Sequence, residues 1–351
     1  MVDGGGGRIL VAIDGGGEKT DAVALTVDGD VLAQASGPGS NPRVAGAEAA
    51  AEVLARLIGE TVRAAHVAAP PAKPVGTAVG GTTAIPVHAF VSGLNLPRDV
   101  DALRTHLTGA LAQLPAGASA AHECTLALDN DMPAMLRAGT DAADAVAVVC
   151  GTGINAIGIR AGHASVRFPA LGTISGDWGG GWELGQQALW HAARAQDGRG
   201  PDTSLRIVIP QAFGVDDVTD VFTALDSGRV AHAELRRLAP AVLAAAAGGD
   251  AIAQSLVDRQ AEEVVVLATT VLRRLGLDGA AVPVVLGGGL ITGGGPRLTD
   301  GIRARLAEQA PWARPFVPDV RPVVGAALLT LAAAGGDAAS LARVRSDLCR
   351  G

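Results

Sequence analysis

The sequence predicts an α/β fold made of two related halves with a cleft between them. Three observations carry this. An apolar strand running into a glycine turn, then a strand, a tight turn and a third strand, occurs twice, starting near residues 8 and 145. Each occurrence is followed by further apolar strands alternating with segments of helical period. And strands end directly in glycines at Gly15–Gly17, Gly151–Gly153 and Gly287–Gly289. Two halves built this way would face each other, each offering a glycine turn to the cleft.

The elements follow in order. Ile9–Ile13 is an apolar strand ending in Asp14, and 21–27 and 31–36 are strands joined by the turn Asp28-Gly29-Asp30. A helix is expected at about 44–65, where Val53, Leu54, Leu57 and Ile58 share one face. The stretch 66–83, rich in Ala, Pro, Gly and Thr, reads as a surface connection. Strand 87–92, helix 99–114 and strand 124–128 lead into Asp129-Asn130-Asp131 and a short helix ending near Gly139. The pattern then restarts with strands 145–150, 154–160 and 164–168, with His163 in the hairpin turn. The loop Ser175–Gly181, a helix 182–196, a helical stretch 215–275, a buried strand 282–286, a helix 297–309, an extended 314–318 and a helix 323–334 complete the chain. This divides it into a first half, 1–130, and a second half, 131–321, with a helical insertion at about 197–280. The C-terminal helix 322–335 is expected to pack back on the first half, and 336–351 to form a weakly packed tail.

Composition excludes several classes. With 35 acidic against 28 basic residues the net charge is −7, which argues against a nucleic-acid coat. Three cysteines and no CxxC pair disfavour a disulfide framework, structural zinc and a four-cysteine iron–sulfur site. The polar, glycine-rich Met1–Gly7 does not read as a signal peptide, and no apolar stretch approaches the roughly 20 residues of a membrane span. The expectation is a cytoplasmic protein with no nucleic-acid or membrane partner. The seven histidines show no ligand or catalytic spacing. Of the 28 basic residues only Lys19 and Lys73 are lysines, and Lys19 lies in the first glycine turn.

A glycine turn after a strand lets backbone N–H groups approach an anion with no Cβ in the way, and phosphate is the commonest such anion. None of the turns is a P-loop or a GxGxxG dinucleotide turn. Asp14, just before the first glycines, either caps its own turn or holds Mg²⁺ through water, as phosphoryl transfer requires. Asp131 opens a helix after a buried strand at the junction of the two repeats. It reads either as a helix N-cap or as the carboxylate that accepts a hydroxyl proton during phosphoryl transfer. Asp177 lies among glycines and two tryptophans, Trp178 and Trp182, and reads as a sugar-binding carboxylate or as a cap on the following helix.

In combination and order, these motifs resemble the BadF/BadG/BcrA/BcrD-type ATPases, and within them the bacterial N-acetylglucosamine kinases. The residues that carry the resemblance are Asp14–Thr20, Gly39-Ser40-Asn41-Pro42, Ser92-Gly93, Asn130-Asp131, Gly151–Gly153, Ser175–Gly181, Asp197–Pro201 and Leu286–Gly289, across about 8–334. The resemblance implies an actin-like (ribonuclease H-like) duplicated fold and ATP with Mg²⁺ as cofactors. It implies that Gly15, Gly16, Gly17, Lys19 and Thr20 form the first phosphate loop and Gly151, Thr152 and Gly153 the second. Gly287, Gly288 and Gly289, with Leu290–Gly295, would contact the adenosine. It further implies Asn41, Asn130 and Asp177 on the sugar, Asp131 as general base on the 6-hydroxyl of N-acetylglucosamine, and a homodimer.

The sequence also departs from the family. Glu18 stands where threonine is usual, Trp178 where glutamate is usual, and Pro169-Ala170-Leu171-Gly172 where Gly-Gly-Trp-Gly is common. A related sugar, glucosamine or N-acetylmuramic acid, and a catalytically weak sugar-binding homologue are the alternatives this leaves. An iron–sulfur activator of a dehydratase is disfavoured, because Cys124 and Cys150 read as small core residues. A sugar-sensing regulator would need a DNA-binding helix pair ahead of a strand that starts near residue 8.

Overall fold

The computed structural model describes residues 8–69, 84–114 and 124–350. Residues 70–83 of the expected surface connection, with Lys73, lie outside the described residues. In chain order the elements are β1 (Ile9–Gly15), β2 (Lys19–Thr26), β3 (Val31–Pro38), α1 (Pro42–Ala45), α2 (Ala47–Ala68), β4 (Ile85–Val91), α3 (Pro97–Ala112), β5 (Cys124–Asp129) and α4 (Met132–Gly139). Then follow β6 (Ala145–Cys150), β7 (Ile154–Ile159), β8 (Val166–Arg167), α5 (Gly180–Gln196), α6 (Leu205–Phe213), α7 (Val218–Asp226), α8 (Ala239–Ala247) and α9 (Ala251–Arg274). β9 (Pro283–Gly287), α10 (Gly289–Gly293), α11 (Gly295–Gln309), β10 (Arg314–Phe316), α12 (Pro322–Ala333) and α13 (Ala338–Arg350) complete the chain. Among the described residues no single helix is long and apolar enough to cross a membrane.

The chain forms two compact units, Met1–Asp141 with Asp319–Gly351, and Ala142–Pro318. In the first, the strand order is β3-β2-β1-β4-β5. β2 runs antiparallel to β1, while β4 runs parallel to β1 and β5 parallel to β4. The alternation of β1 explains its unbroken apolar run: Val11 and Ile13 pack with α2 and α3, while Leu10 and Ala12 face α12 and α13. A strand buried on both faces has no polar side to show.

The second unit repeats this plan. Its order is β10-β9-β6-β7-β8, with β7 antiparallel to β6 and β9 parallel to β6. Read from β8 inward, it is the same meander of three strands followed by two parallel additions. Duplication is therefore a property of the topology and not of the residues. The helical stretch expected at 215–275 resolves into α7, a 3-10 segment His232–Leu238, α8 and α9, with α6 ahead of them. α9 lies close over the sheet: a Cβ at Gly158 on β7 would collide with Val271.

Two boundaries differ from the sequence reading. The division falls after Asp141 and not at residue 130, so α4 and Asp131 belong to the first unit. The cause is a close helix crossing, in which Gly325 of α12 lies against the Ala134 carbonyl of α4 with no room for a Cβ. The expected tail is instead α13, which buries Val344 and Leu348 in the core shared by β1 and α12. Arg345 of α13 also donates to the carbonyls of Arg137 and Ala138, the free acceptors at the end of α4. The sequence disguised this helix because Arg343, Arg345 and Arg350 dilute its apolar stripe. Leu348→Ala should cost about 2–4 kcal/mol of stability, readable by denaturant titration; a tail residue would cost nothing measurable.

Candidate active site

In the first unit the C-terminal ends of β1, β4 and β5 gather the candidate residues. β1 ends at Asp14 and Gly15, and Gly16 N–H donates to the Lys19 carbonyl at 2.8 Å to close the turn. The segment after β3 covers this turn. Ser40 N–H donates to the Gly16 carbonyl at 3.1 Å. A Cβ at Gly15 would strike the Ser40 hydroxyl, and one at Gly39 would strike the Gly17 carbonyl. The glycines are thus required for close approach within the protein as well as for any anion.

Thr20, expected on phosphate, is fully buried, and its hydroxyl bonds the Pro38 carbonyl at 2.8 Å and Ser40 Oγ at 2.9 Å. It braces the loop and does not face a ligand. Lys19 is exposed and pairs with Asp21 at 3.0 Å. Asn41 caps α1, its Oδ1 accepting from Arg43 N–H at 2.9 Å. Arg43 in turn donates to the Gly93 carbonyl at 3.0 Å and pairs with Asp99 at 2.6 Å, which ties Asn41 to the end of β4. Ser92, whose N–H donates to the Gly15 carbonyl at 2.7 Å, keeps a buried hydroxyl that has no partner among the described residues.

The pair Asn130-Asp131 divides its work. Asn130 is buried; its Oδ1 accepts from Met132 N–H at 2.9 Å and its Nδ2 donates to Asn95 Oδ1 at 3.0 Å. Each end of the amide has a partner in the framework, so the side chain expected on the sugar is held in place by the protein and keeps one N–H for a further partner. It also does the capping that Asp131 could have done. Asp131 stands at the N-cap position of α4 without a side-chain cap bond. Burial, then the charge of Asp129, pushes its carboxyl up to about 7 against one backbone hydrogen bond. Asp14 is pushed up to about 8, first by burial and then by the carboxylates of Asp131 and Asp21, with Lys19 pulling the other way.

In the second unit, three segments converge on the end of β6. Gly151 N–H donates to the Gly153 carbonyl at 2.9 Å, forming a tight turn. The start of α5 seats on this turn: Gly181 N–H donates to the Gly151 carbonyl at 2.7 Å, and Trp182 N–H to the Thr152 carbonyl at 3.0 Å. Gly180, at φ +86°, packs so closely on Gly153 that a Cβ would collide with its backbone. Gly288, at φ +91°, packs in the same way on Cys150. Gly287 ends β9 and Gly289 opens α10, so the third glycine run is a strand-to-helix junction beside the second turn. A cradle of glycine backbone next to a helix N-terminus suits a phosphate group.

Asp177 lies just before this junction. It does not cap α5, whose N-cap is Gly179; its carboxylate bonds the Ser175 hydroxyl, and its N–H donates to the Gly172 carbonyl at 3.1 Å. Trp178 is buried under the guanidinium of Arg259, 4.1 Å from the ring. Burial, with Glu262 and Asp177 nearby, pushes the Glu263 carboxyl up. Arg259, Gln260 and Glu263 all come from α9, some 80 positions along the chain, and the sequence reading missed them. One signal was available: Gln260 interrupts the apolar face formed by Leu256, Val257, Ala261 and Val264.

Among the described residues no group of three or more His, Cys, Asp or Glu forms a metal cage. Mg²⁺ does not need one, since it keeps several waters and takes one or two carboxylates plus substrate phosphates. Asp14, with carboxylates raising its affinity for positive charge, fits that role. At Gly151, Gly153 and Gly289 an added Cβ would meet no protein atom closer than 3.8 Å, so these glycines border open space that fits a nucleotide's phosphates, while Gly180 and Gly288 pack on the backbone of Gly153 and Cys150 and hold the turn in place.

Comparison with known proteins agrees with this architecture. The chain is 28% identical over 327 residues to the N-acetyl-D-glucosamine kinase of Dictyostelium discoideum, covering 92% of this chain and 98% of that protein. It is 24% identical over 284 residues to the N-acetylmuramic acid/N-acetylglucosamine kinase of Clostridium acetobutylicum, covering 81% and 86%. A solved structure of a candidate N-acetylglucosamine kinase from Chromobacterium violaceum superposes with a TM-score of 0.67 at 24% identity, over 93% of this chain and 99% of that one. That likeness shows a common fold, the duplicated actin-like fold expected from the sequence. The model of the BadF/BadG/BcrA/BcrD ATPase family matches residues 11–330, and the chain belongs to that family.

Proposed function

We propose that this protein is an ATP-dependent amino-sugar kinase that phosphorylates the 6-hydroxyl of N-acetylglucosamine, with Asp131 as the general base. The observation that carries this reading is the state of Asp131: a half-buried carboxylate, excused from capping by Asn130 and pushed up to about 7, is suited to take a proton near neutral pH. The kinase relatives from Dictyostelium discoideum and Clostridium acetobutylicum support the choice of an amino sugar.

In this reading the backbone of Gly15–Gly17 and of Gly151–Gly153 binds ATP phosphates, and Gly287–Gly289 contacts the adenosine. Asp14 would hold Mg²⁺ through water, which neutralises phosphate charge when bound. Asn41 and Asp177 hold the sugar by its hydroxyls, and Ser175 keeps the Asp177 carboxylate oriented. Asp131 accepts the hydroxyl proton as the phosphoryl group transfers to the sugar oxygen. Glucosamine and N-acetylmuramic acid are the alternative acceptors, because Trp178 replaces the usual second carboxylate beside Asp177.

The test is ADP release with ATP and Mg²⁺ against N-acetylglucosamine, glucosamine, N-acetylmannosamine, N-acetylmuramic acid, glucose and no sugar. N-acetylglucosamine-dependent turnover, with product phosphorylated at the 6-position by NMR, is the expected result. Turnover with glucose alone, or none with any sugar in protein that binds ATP, would overturn the reading.

A further inference from the structure

Gln260 sits in the middle of α9, 1% exposed, surrounded on its own helix by buried Leu256, Val257, Ala261 and Val264. An apolar side chain would serve such a position for packing alone, because a buried amide must be compensated by hydrogen bonds. Half of this amide is compensated: Oε1 accepts from Gly180 N–H at 2.9 Å. The other half, Nε2, is buried with no partner among the described residues and lies under Gly179, where an added Cβ would come within 2.6 Å of it.

Gly179 and Gly180 are the hinge between two functional segments. On one side, two residues back, is Asp177. On the other, Gly180 rests on Gly153, and the next two N–H groups bond the carbonyls of Gly151 and Thr152. Gly179 at φ +136° and Gly180 at φ +86° have conformations that only glycine adopts readily, so the backbone does not hold this shape by itself. Arg259, the neighbour of Gln260, adds a second fastening by lying over Trp178 at 4.1 Å.

We propose that Gln260 is a positioning residue that fixes the Asp177 loop and the Gly151–Gly153 turn in one shared geometry. One hydrogen bond to the Gly179-Gly180 hinge sets where the sugar carboxylate and the phosphate-binding turn lie relative to each other. The consequence is a coupling: loosening this one contact weakens binding of both substrates together. The inference rests on the assignment of these two segments to sugar and phosphate.

The test compares Gln260→Met with Val264→Ala, which removes buried volume from the same helix but touches neither segment through a hydrogen bond. Gln260→Met is expected to raise KM for the amino sugar and for ATP by about tenfold each, the effect of losing one positioning hydrogen bond. Hydrogen exchange should show peptides covering 148–154 and 172–182 losing protection together. Val264→Ala should lower Tm and leave both KM values within threefold. A Gln260→Met protein in which one KM changes without the other, or in which only one peptide loses protection, overturns the proposal. If the wild type turns over no amino sugar, the kinase reading fails by itself, and the exchange experiment still decides the role of Gln260. If Gln260→Met does not fold, Gln260→Glu replaces it. Glutamate keeps the acceptor for Gly180 N–H, so both peptides should keep wild-type protection, and loss in either one overturns the proposal.

Discussion

Asp131→Asn is expected to lower kcat by about 10²–10⁴-fold while KM for the sugar stays within about threefold, because the amide keeps the shape and loses the base. The pH profile is the more specific readout. With its carboxyl pushed up to about 7, Asp131 is mostly protonated and inactive as a base at pH 6, so wild-type kcat should rise about tenfold per pH unit below pH 7 and level off above it. Mg²⁺ bound at Asp14 would favour the charged forms of nearby carboxylates, so in the proposed mechanism saturating Mg²⁺ should move this limb to lower pH. The Asn variant should lack the limb. Stability should change in the opposite sense. A carboxyl whose folded pKa lies above its unfolded value supports the fold below about pH 4, and that support is lost as pH rises through about 7. At pH 8 the Asn variant should therefore melt above wild type, and at pH 4 the two should melt together. A variant with wild-type kcat would remove Asp131 from the mechanism.

Gly180→Val should abolish nucleotide binding without unfolding the chain. The substitution puts a branched Cβ at φ +86° against the backbone of Gly153. Both the strain and the contact act on one point, the seat of α5 on the second glycine turn. Gly180 is the first residue of α5, so the turn must shift while the rest of the helix can remain. Losing two backbone hydrogen bonds to a charged phosphate, at about 1.5 kcal/mol or more each, costs about 10²-fold, so ATP affinity should fall by at least that factor. Isothermal titration with a non-hydrolysable ATP analogue reads this directly, and the far-UV spectrum reports the fold. Near-wild-type affinity would show that this turn does not hold phosphate.

Much of the architecture was written in local pattern. The runs 9–13 and 145–150 announced strands buried on both faces, and the hairpin at Asp28–Asp30 and the turn at His163 announced the meanders. The strand-to-glycine junctions at residues 15, 151 and 287 were equally legible, because a close backbone approach leaves glycine as its mark. The same pattern marked Asp14, Asp131 and Asp177 as carboxylates at the ends of elements.

What these carboxylates do was not local. Whether Asp131 capped its helix depended on Asn130 and on Asn95, a residue from another strand end. Thr20 looked like a phosphate ligand until Ser40 and Pro38 took its hydroxyl. The helix α13 was invisible because its few apolar residues mean something only against β1 and α12. Gln260 reaches its partner across 80 positions. The sequence by itself therefore determined the strands, the turns and the duplicated plan, since these follow from periodicity and from what glycine permits. Only the tertiary structure decided which polar groups are spent on the framework and which are left for a ligand, because hydrogen-bond partners are assigned by long-range contact and a side chain's chemistry depends on what has already claimed it.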